Sequence, residues 1–300
     1  MGPQNNEPIL DDNSPASDFF NVVVDGEMKG TGHDPSQVVK EMFAPPSELV
    51  IIPRDQWSAR LKEQTANKSR TSDILRLAGI PSMDQGPNGY CWGHSIVGAV
   101  QAVRAIQNQP YVPLSAYMVC AIIKGGRNEG GWCGLSAKFV RENGVCSQAL
   151  WPQGDRNTSR DTPEVRADAA LHKTTEEWAD LTKAVYDQNL AFDVNATCFL
   201  TNVPAAGDFN HWSHSVLLCD LVETAAMDYR APNGKQAMKY AKEMFDRLME
   251  LCGYGDALFG VRFRNSWSDS YGDKGFGVLN GTKAITDGAI ALRSTGVSPN

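Results

Sequence analysis

Asp84-Gln85-Gly86-Pro87-Asn88-Gly89-Tyr90-Cys91-Trp92-Gly93-His94-Ser95 is a glycine-rich turn that delivers a cysteine onto the first residue of an apolar-periodic segment. Behind it Trp92, Ile96, Val97, Val100, Val103 and Ile106 recur at the spacing that sets one face of an α-helix against a core. Cys91 therefore stands at a helix N-terminus. Unpaired N–H groups and the positive end of the macrodipole there favour a thiolate, the form of cysteine that attacks carbonyl carbon. This makes Cys91 the candidate nucleophile, against the plainer reading of an ordinary buried cysteine.

With 300 residues and 42% apolar content the chain has ample material for a buried core. A formal charge of −7 and a pI near 5.3 argue against nucleic acid or an anionic membrane as the main partner, since either needs a concentrated basic patch. No run of eighteen apolar residues occurs. Met1-Gly2-Pro3-Gln4-Asn5-Asn6 has neither a signal-peptide pattern nor the Ser/Thr of a myristoylation site. The seven cysteines, Cys91, Cys120, Cys133, Cys146, Cys198, Cys219 and Cys252, are an odd number without Cys-x-x-Cys or zinc-like spacing. A complete disulfide framework is thus impossible, no metal site is expected, and a reducing, cytoplasmic setting is the expectation; a secreted or virion-associated protein stays open.

The segment from Gln85 to Trp92 resembles the active-site segment of papain-like cysteine peptidases, where Gln-Gly-x-Cys-Gly-Ser-Cys-Trp leads into the central helix. Gln85 stands six residues before Cys91, the family spacing between oxyanion-hole glutamine and nucleophile. Asn88 takes the place of a usual disulfide cysteine, and Gly93-His94 that of Ala-Phe. Three further islands follow in the family order. Gly130-Gly131 matches the glycine pair on which a substrate backbone lies close, although a plain turn explains glycine alone equally well. His214 directly precedes the apolar run Ser215-Val216-Leu217-Leu218-Cys219. Asn265-Ser266-Trp267 and its continuation to Phe276 resemble the family's Asn-Ser-Trp-Gly segment, with Ser268 and Tyr271 replacing a glycine and a tryptophan.

Along the chain, residues 1–47 read as an N-terminal extension, partly extended or disordered, without the helical prosegment of the family's secreted members. A poorly ordered tail is preferred over an arm that blocks the cleft. Residues 48–300 read as one papain-like catalytic domain, with a mainly helical half over 48–150 and a mainly β half over 151–300. Leu49–Pro53 reads as a short strand, and 54–77 has helical character. Ser115 caps a second helix, and a third runs from Leu135 to Asn143 with Gly144 closing it. Glu176 to Gln188 reads as a helix and Leu190 to Ala196 as a strand. A helical insertion at about 223–258 enlarges the His214-to-Asn265 interval. Its stripe Ala237, Ala241, Met244, Phe245, Leu248 and Leu251 is read as core packing away from the cleft.

The resemblance implies an α+β fold, a helical half and a β-barrel-like half with the active site in the cleft between them. It also implies peptide-bond hydrolysis through a thioester, with no cofactor and no metal. In that scheme His214 is the base, Asn265 fixes its tautomer, Trp267 covers that bond and lines the substrate site, and Gln85 with the Cys91 N–H holds the oxyanion. Gly130 and Gly131 pair with a protein or peptide substrate. The other histidines are set aside: His211 as a weaker rival to His214, His94 as a packed residue, His33 and His172 as lacking catalytic surroundings. Taken singly, His214 could be a core histidine and Asn265 a turn residue. Two other functions remain: a papain-fold binding or assembly protein with a silent cleft, and a transferase or isopeptidase using the same triad.

Overall fold

The computed structural model describes residues 7–37, 50–180, 188–224 and 259–295. A mixed seven-stranded sheet is its frame. The strands are β1 (Ile9–Leu10), β4 (Thr174–Asp180), β5 (Ala205–Phe209), β6 (His214–Glu223), β7 (Phe259–Arg264), β8 (Phe276–Leu279) and β9 (Gly288–Thr295). They lie in the order β1-β8-β7-β6-β5-β9-β4. Pairing is antiparallel except between β1 and β8. A separate hairpin joins β2 (Val23–Val24) to β3 (Glu27–Met28).

Both faces of the sheet are buried, which is why its central strands read as continuous apolar runs. In β6, Val216, Leu218 and Leu221 enter one core with Phe209, Phe263 and Trp267, while Leu217 and Cys219 enter another with Ile96, Val97 and Val100. The second core lies under α3 (Cys91–Ile106), whose residues are all buried except Ile106. Around α3 pack α2 (Thr71–Leu77), α4 (Ala116–Lys124) and α5 (Cys133–Asn143). Ser115 caps α4 by accepting from the Met118 N–H at 3.2 Å, and Gly144 ends α5 at φ +81°, both as the sequence predicts. The first core is covered by α1 (Trp57–Asn67) and α7 (Gln188–Leu200); α6 (Pro163–Ala170) packs beside α5.

Three local expectations fail. Of the predicted helix Glu176–Gln188, residues 176–180 belong to β4, because the edge of β9 supplies a partner that no local pattern announces, and residues 181–187 lie outside the described residues. The predicted strand Leu190–Ala196 lies inside α7, where Val194 with Cys198 and Ala196 with Phe199 and Leu200 form the buried face. Residues 50–53 carry no regular structure; Ile52 instead donates its N–H to Thr197 and accepts from the Trp57 indole at 2.9 Å. The predicted helix Asn233–Cys252 falls outside the described residues.

The N-terminal segment is also not a poorly ordered tail over its described part. Residue 7 begins an ordered course in which β1 extends the sheet and Glu7 is buried against Arg262 (2.9 Å) and Arg76 (2.7 Å), with Asp220 completing the cluster at 3.1 Å from Arg262. Burial pushes the Glu7 carboxyl up, but the two guanidinium groups outweigh it and hold it below its ordinary value. From there the hairpin leads residues 29–37 across the face of the molecule at the N-terminus of α3.

Candidate active site

Three elements carry the predicted residues, and two of them bring His214 and Asn265 together. Cys91 is the first residue of α3, after Tyr90 in a non-helical conformation, and has no solvent exposure. His214 opens β6, and Asn265 follows the last residue of β7. The register pairing Leu217 with Arg264 sets both at the same end of adjacent antiparallel strands. There His214 Nε2 donates to Asn265 Oδ1 at 2.8 Å. The Trp267 ring stacks on the imidazole, centroids 4.8 Å apart at 29°, and Trp212 flanks it at 4.8 Å. The other ring nitrogen, Nδ1, is buried without a hydrogen-bond partner. This fixes the tautomer, with Nε2 protonated and Nδ1 left as the basic position.

The Cys91 thiol is within hydrogen-bonding reach of Ser215, the residue after His214, and of the Gly32 main chain. Burial pushes the thiol up to about 12; the Ser215 and Gly32 groups pull it down and the nearby Asp208 charge pushes it up. Burial also drives His214 down to about 4, against the Asn265 bond. In this conformation the thiol and the imidazole are both neutral.

Gln85 is wholly buried and held on every side. Its N–H donates to Ser266 O at 2.9 Å, its Oε1 accepts from the Ser266 hydroxyl, and its Nε2 donates to Asn88 O at 2.7 Å and to Gly30 O at 2.8 Å. The Trp267 indole also donates to Gly30 O, at 3.3 Å. The amide predicted to hold an oxyanion is therefore bonded to a carbonyl of the chain's own N-terminal segment.

That segment fills the cleft. Gly30 N–H donates to Gly86 O at 3.0 Å, Gly32 and His33 N–H both donate to Ser213 O at 2.9 and 2.8 Å, Gly131 N–H donates to Gly32 O at 2.8 Å, and Asp34 N–H donates to Gly131 O at 2.7 Å. The last two make a parallel bridge between His33 and Gly131. Gly131 thus pairs with the chain's own residues 32–34, and Gly130 O accepts from Gln37 Nε2 at 3.3 Å. The approach is close because both sides are glycine. A Cβ on Gly30 would lie 2.3 Å from Asn88 O, one on Gly32 2.2 Å from Gly89 O, and one on Gly131 2.7 Å from the Trp92 ring. Lys29 anchors the entry to the cleft through Asp84 and Glu27, each at 2.9 Å.

His33, predicted to lack catalytic surroundings, lies in this cleft. Its Nε2 donates to Asn210 Oδ1 at 2.8 Å, and its Nδ1 is 3.6 Å from Asp208 Oδ1. Asp208 escaped the sequence reading too, although a lone carboxylate in the apolar run from Ala205 to Phe209 was a visible signal. The other histidines sit apart: His94 is bonded to Tyr90 O at 2.8 Å and Gln153 at 3.0 Å, His211 packs against the Phe19 and Phe209 rings, and His172 is buried below its ordinary pKa. Among the described residues no three His, Cys, Asp or Glu side chains are grouped to hold a metal, and no helix is long and apolar enough to cross a membrane.

The model of the papain family cysteine protease matches residues 76–292. Vignain of Ricinus communis is 23% identical over 204 residues, 64% of this chain and 49% of vignain, so the match spans about half of that relative's length. Zingipain-2 of Zingiber officinale is 24% identical over 206 residues, 66% of this chain and 81% of zingipain-2. Two solved structures share the fold at low identity: xylellain, a cysteine protease from Xylella fastidiosa (TM-score 0.51, 16% identity, 91% of this chain and 99% of that one), and proCathepsin B S9 from Trypanosoma congolense (TM-score 0.54, 12% identity, 89% and 87%). With that family model covering most of the chain, this protein belongs to the papain family of cysteine proteases.

Proposed function

We propose that the protein is a cysteine endopeptidase that cleaves peptide bonds through Cys91, His214 and Asn265, with the 29–37 segment as a plug that holds the cleft closed. The observation that carries this reading is the His214–Asn265 bond of 2.8 Å beneath Trp267, with His214 Nδ1 buried and unbonded and the Cys91 thiol within hydrogen-bonding reach of Ser215, the next residue.

In the open cleft, water and the helix N-terminus lower the cost of a thiolate, and His214 Nδ1 takes the thiol proton. The Cys91 sulfur then attacks the substrate carbonyl carbon. The oxyanion is held by the Cys91 N–H and Gln85 Nε2, each such donor being worth ~3 kcal/mol of transition-state stabilisation. His214 returns its proton to the leaving amine, and water hydrolyses the thioester with His214 again as base. The peptide backbone pairs with Gly131, as residues 32–34 do in the closed form.

A second reading draws on the filled cleft: a papain-fold binding protein whose plug never leaves. Labelling of Cys91 with an epoxide probe, followed by peptide turnover in a variant with a displaced plug, separates the two. Probe labelling with turnover that Cys91→Ala abolishes supports the peptidase; a cysteine that stays unlabelled after displacement supports the silent cleft. Product analysis with an added amine acceptor distinguishes hydrolysis from transfer.

A further inference from the structure

The plug carries a side chain that its main-chain pairing does not use. His33 is the residue bridged to Gly131, and its imidazole, 1% exposed, turns into a pocket beside Cys91. The floor of that pocket is Asp208, also 1% exposed, whose carboxylate accepts from the Cys133 N–H at 3.1 Å and from the Ser215 hydroxyl. Cys133 opens α5 two residues after Gly131, and Ser215 follows His214, so the pocket joins the peptide-pairing strand to the catalytic histidine. Asn210 forms the rim, taking the His33 Nε2 proton at 2.8 Å.

We propose that this Asp208 pocket selects a basic side chain, lysine or arginine, from the substrate residue that pairs with Gly131, and that His33 is its occupant in the closed form. The inference rests on the peptidase reading for its substrate and deepens it. A buried carboxylate with three neutral donors, the Cys133 N–H and thiol and the Ser215 hydroxyl, still carries an uncompensated charge when an apolar side chain lies beside it. The imidazole is a loose match: Nδ1 stands 3.6 Å from Oδ1, beyond hydrogen-bonding distance, and has no other partner. A longer, flexible cation carries its donors to the carboxylate and to Asn210 together. Burial raises the Asp208 carboxyl above its ordinary value and a positive charge at the His33 position opposes that rise, which is the sense in which a cation favours the ionised pocket.

The test uses the full chain and the rate of iodoacetamide labelling at Cys91, which reads plug opening without requiring turnover. The His33→Lys variant is expected to label at the parent rate or more slowly, and His33→Leu at least about tenfold faster, since it leaves Asp208 unpaired. Asp208→Asn keeps an acceptor for the Cys133 N–H while removing the charge, and should erase the difference between the two. Comparison of His33→Lys with the neutral His33→Gln carries the same test without altering Asp208. Equal labelling of the lysine, glutamine and leucine variants, or a difference that persists with Asp208→Asn, overturns the proposal. A positional peptide library offered to the opened enzyme should then show lysine or arginine dominant at one position on the amino side of the cleaved bond; cleavage without that preference refutes the pocket. A labelled Cys91 with no peptide cleaved, while the labelling order holds, refutes the peptidase reading instead.

Discussion

Gly32→Ala should open the cleft. The new Cβ would stand 2.2 Å from Gly89 O and 2.5 Å from Gly89 C and Cα, all main-chain atoms that no rotamer change can move. Real Cβ contacts essentially never fall below 3.0 Å, so the plug must retreat by roughly 0.8 Å or more. Three bonds flank the site: Gly32 and His33 N–H to Ser213 O at 2.9 and 2.8 Å, and Gly131 N–H to Gly32 O at 2.8 Å. Stretched by that amount they pass the limit of a hydrogen bond. At about 1 kcal/mol net each, losing two or three raises the open population about 30- to 150-fold. The gain in unfolded-chain order from alanine works the other way but is smaller, about 0.4–1 kcal/mol. The assay is native iodoacetamide labelling of Cys91 resolved by peptide mass, with Met28→Ala, exposed on the same segment, as control. A Gly32→Ala protein that keeps its circular dichroism and labels at the parent rate would show that the plug does not depend on this close approach.

In the Gly32→Ala background, His214→Ala should slow alkylation of Cys91 near pH 6 by about 10- to 100-fold, while His211→Ala, packed on Phe19 and Phe209, should not; equal effects in a pH series would remove His214 from the role of base. Burial lowers His94 and His214 to about 4, so below their unfolded values near 6.5 the unfolded chain binds protons first. Stability should therefore fall as pH drops from about 6.5 to 4, by up to about 1.4 kcal/mol per pH unit for each histidine; urea midpoints that stay flat over this window would contradict both burials. Six cysteines are free and buried among the described residues, and alkylation after unfolding without reductant should find them as thiols; a native bridge among them would count against the reducing setting.

The parts of the fold that were legible in the sequence are those whose order is written in side chains at a fixed period. The helix behind Cys91 repeats its apolar residues because one face packs on β6, β5 and β9, and the run after His214 is apolar throughout because both faces of β6 are covered. The exchange of helix and strand between residues 174 and 200 came from periods that fit two structures at once. Leu190, Phe192, Val194 and Ala196 alternate like a strand, but the run continues through Cys198, Phe199 and Leu200, which only a helix can bury together with Val194. β4 exists through its pairing with β9, a contact more than a hundred residues distant.

The plug was illegible for a different physical reason. Its order comes from main-chain N–H and carbonyl groups docking on Gly86, Gly131 and Ser213, and these groups are the same whatever the side chains are. Its one sequence mark is Gly30-Thr31-Gly32, which matters only once the 87–89 loop lies against it. The docking couples three groups in the proposed mechanism. The Gly30 carbonyl takes the Gln85 amide that an oxyanion needs, the Gly32 main chain lies on the Cys91 thiol, and His33 fills the Asp208 pocket. Any displacement of the segment therefore frees the donor, exposes the nucleophile and empties the pocket in one step. On the proposed mechanism, a substrate gains the Gly131 pairing, the oxyanion donor and the pocket together, or meets all three occupied.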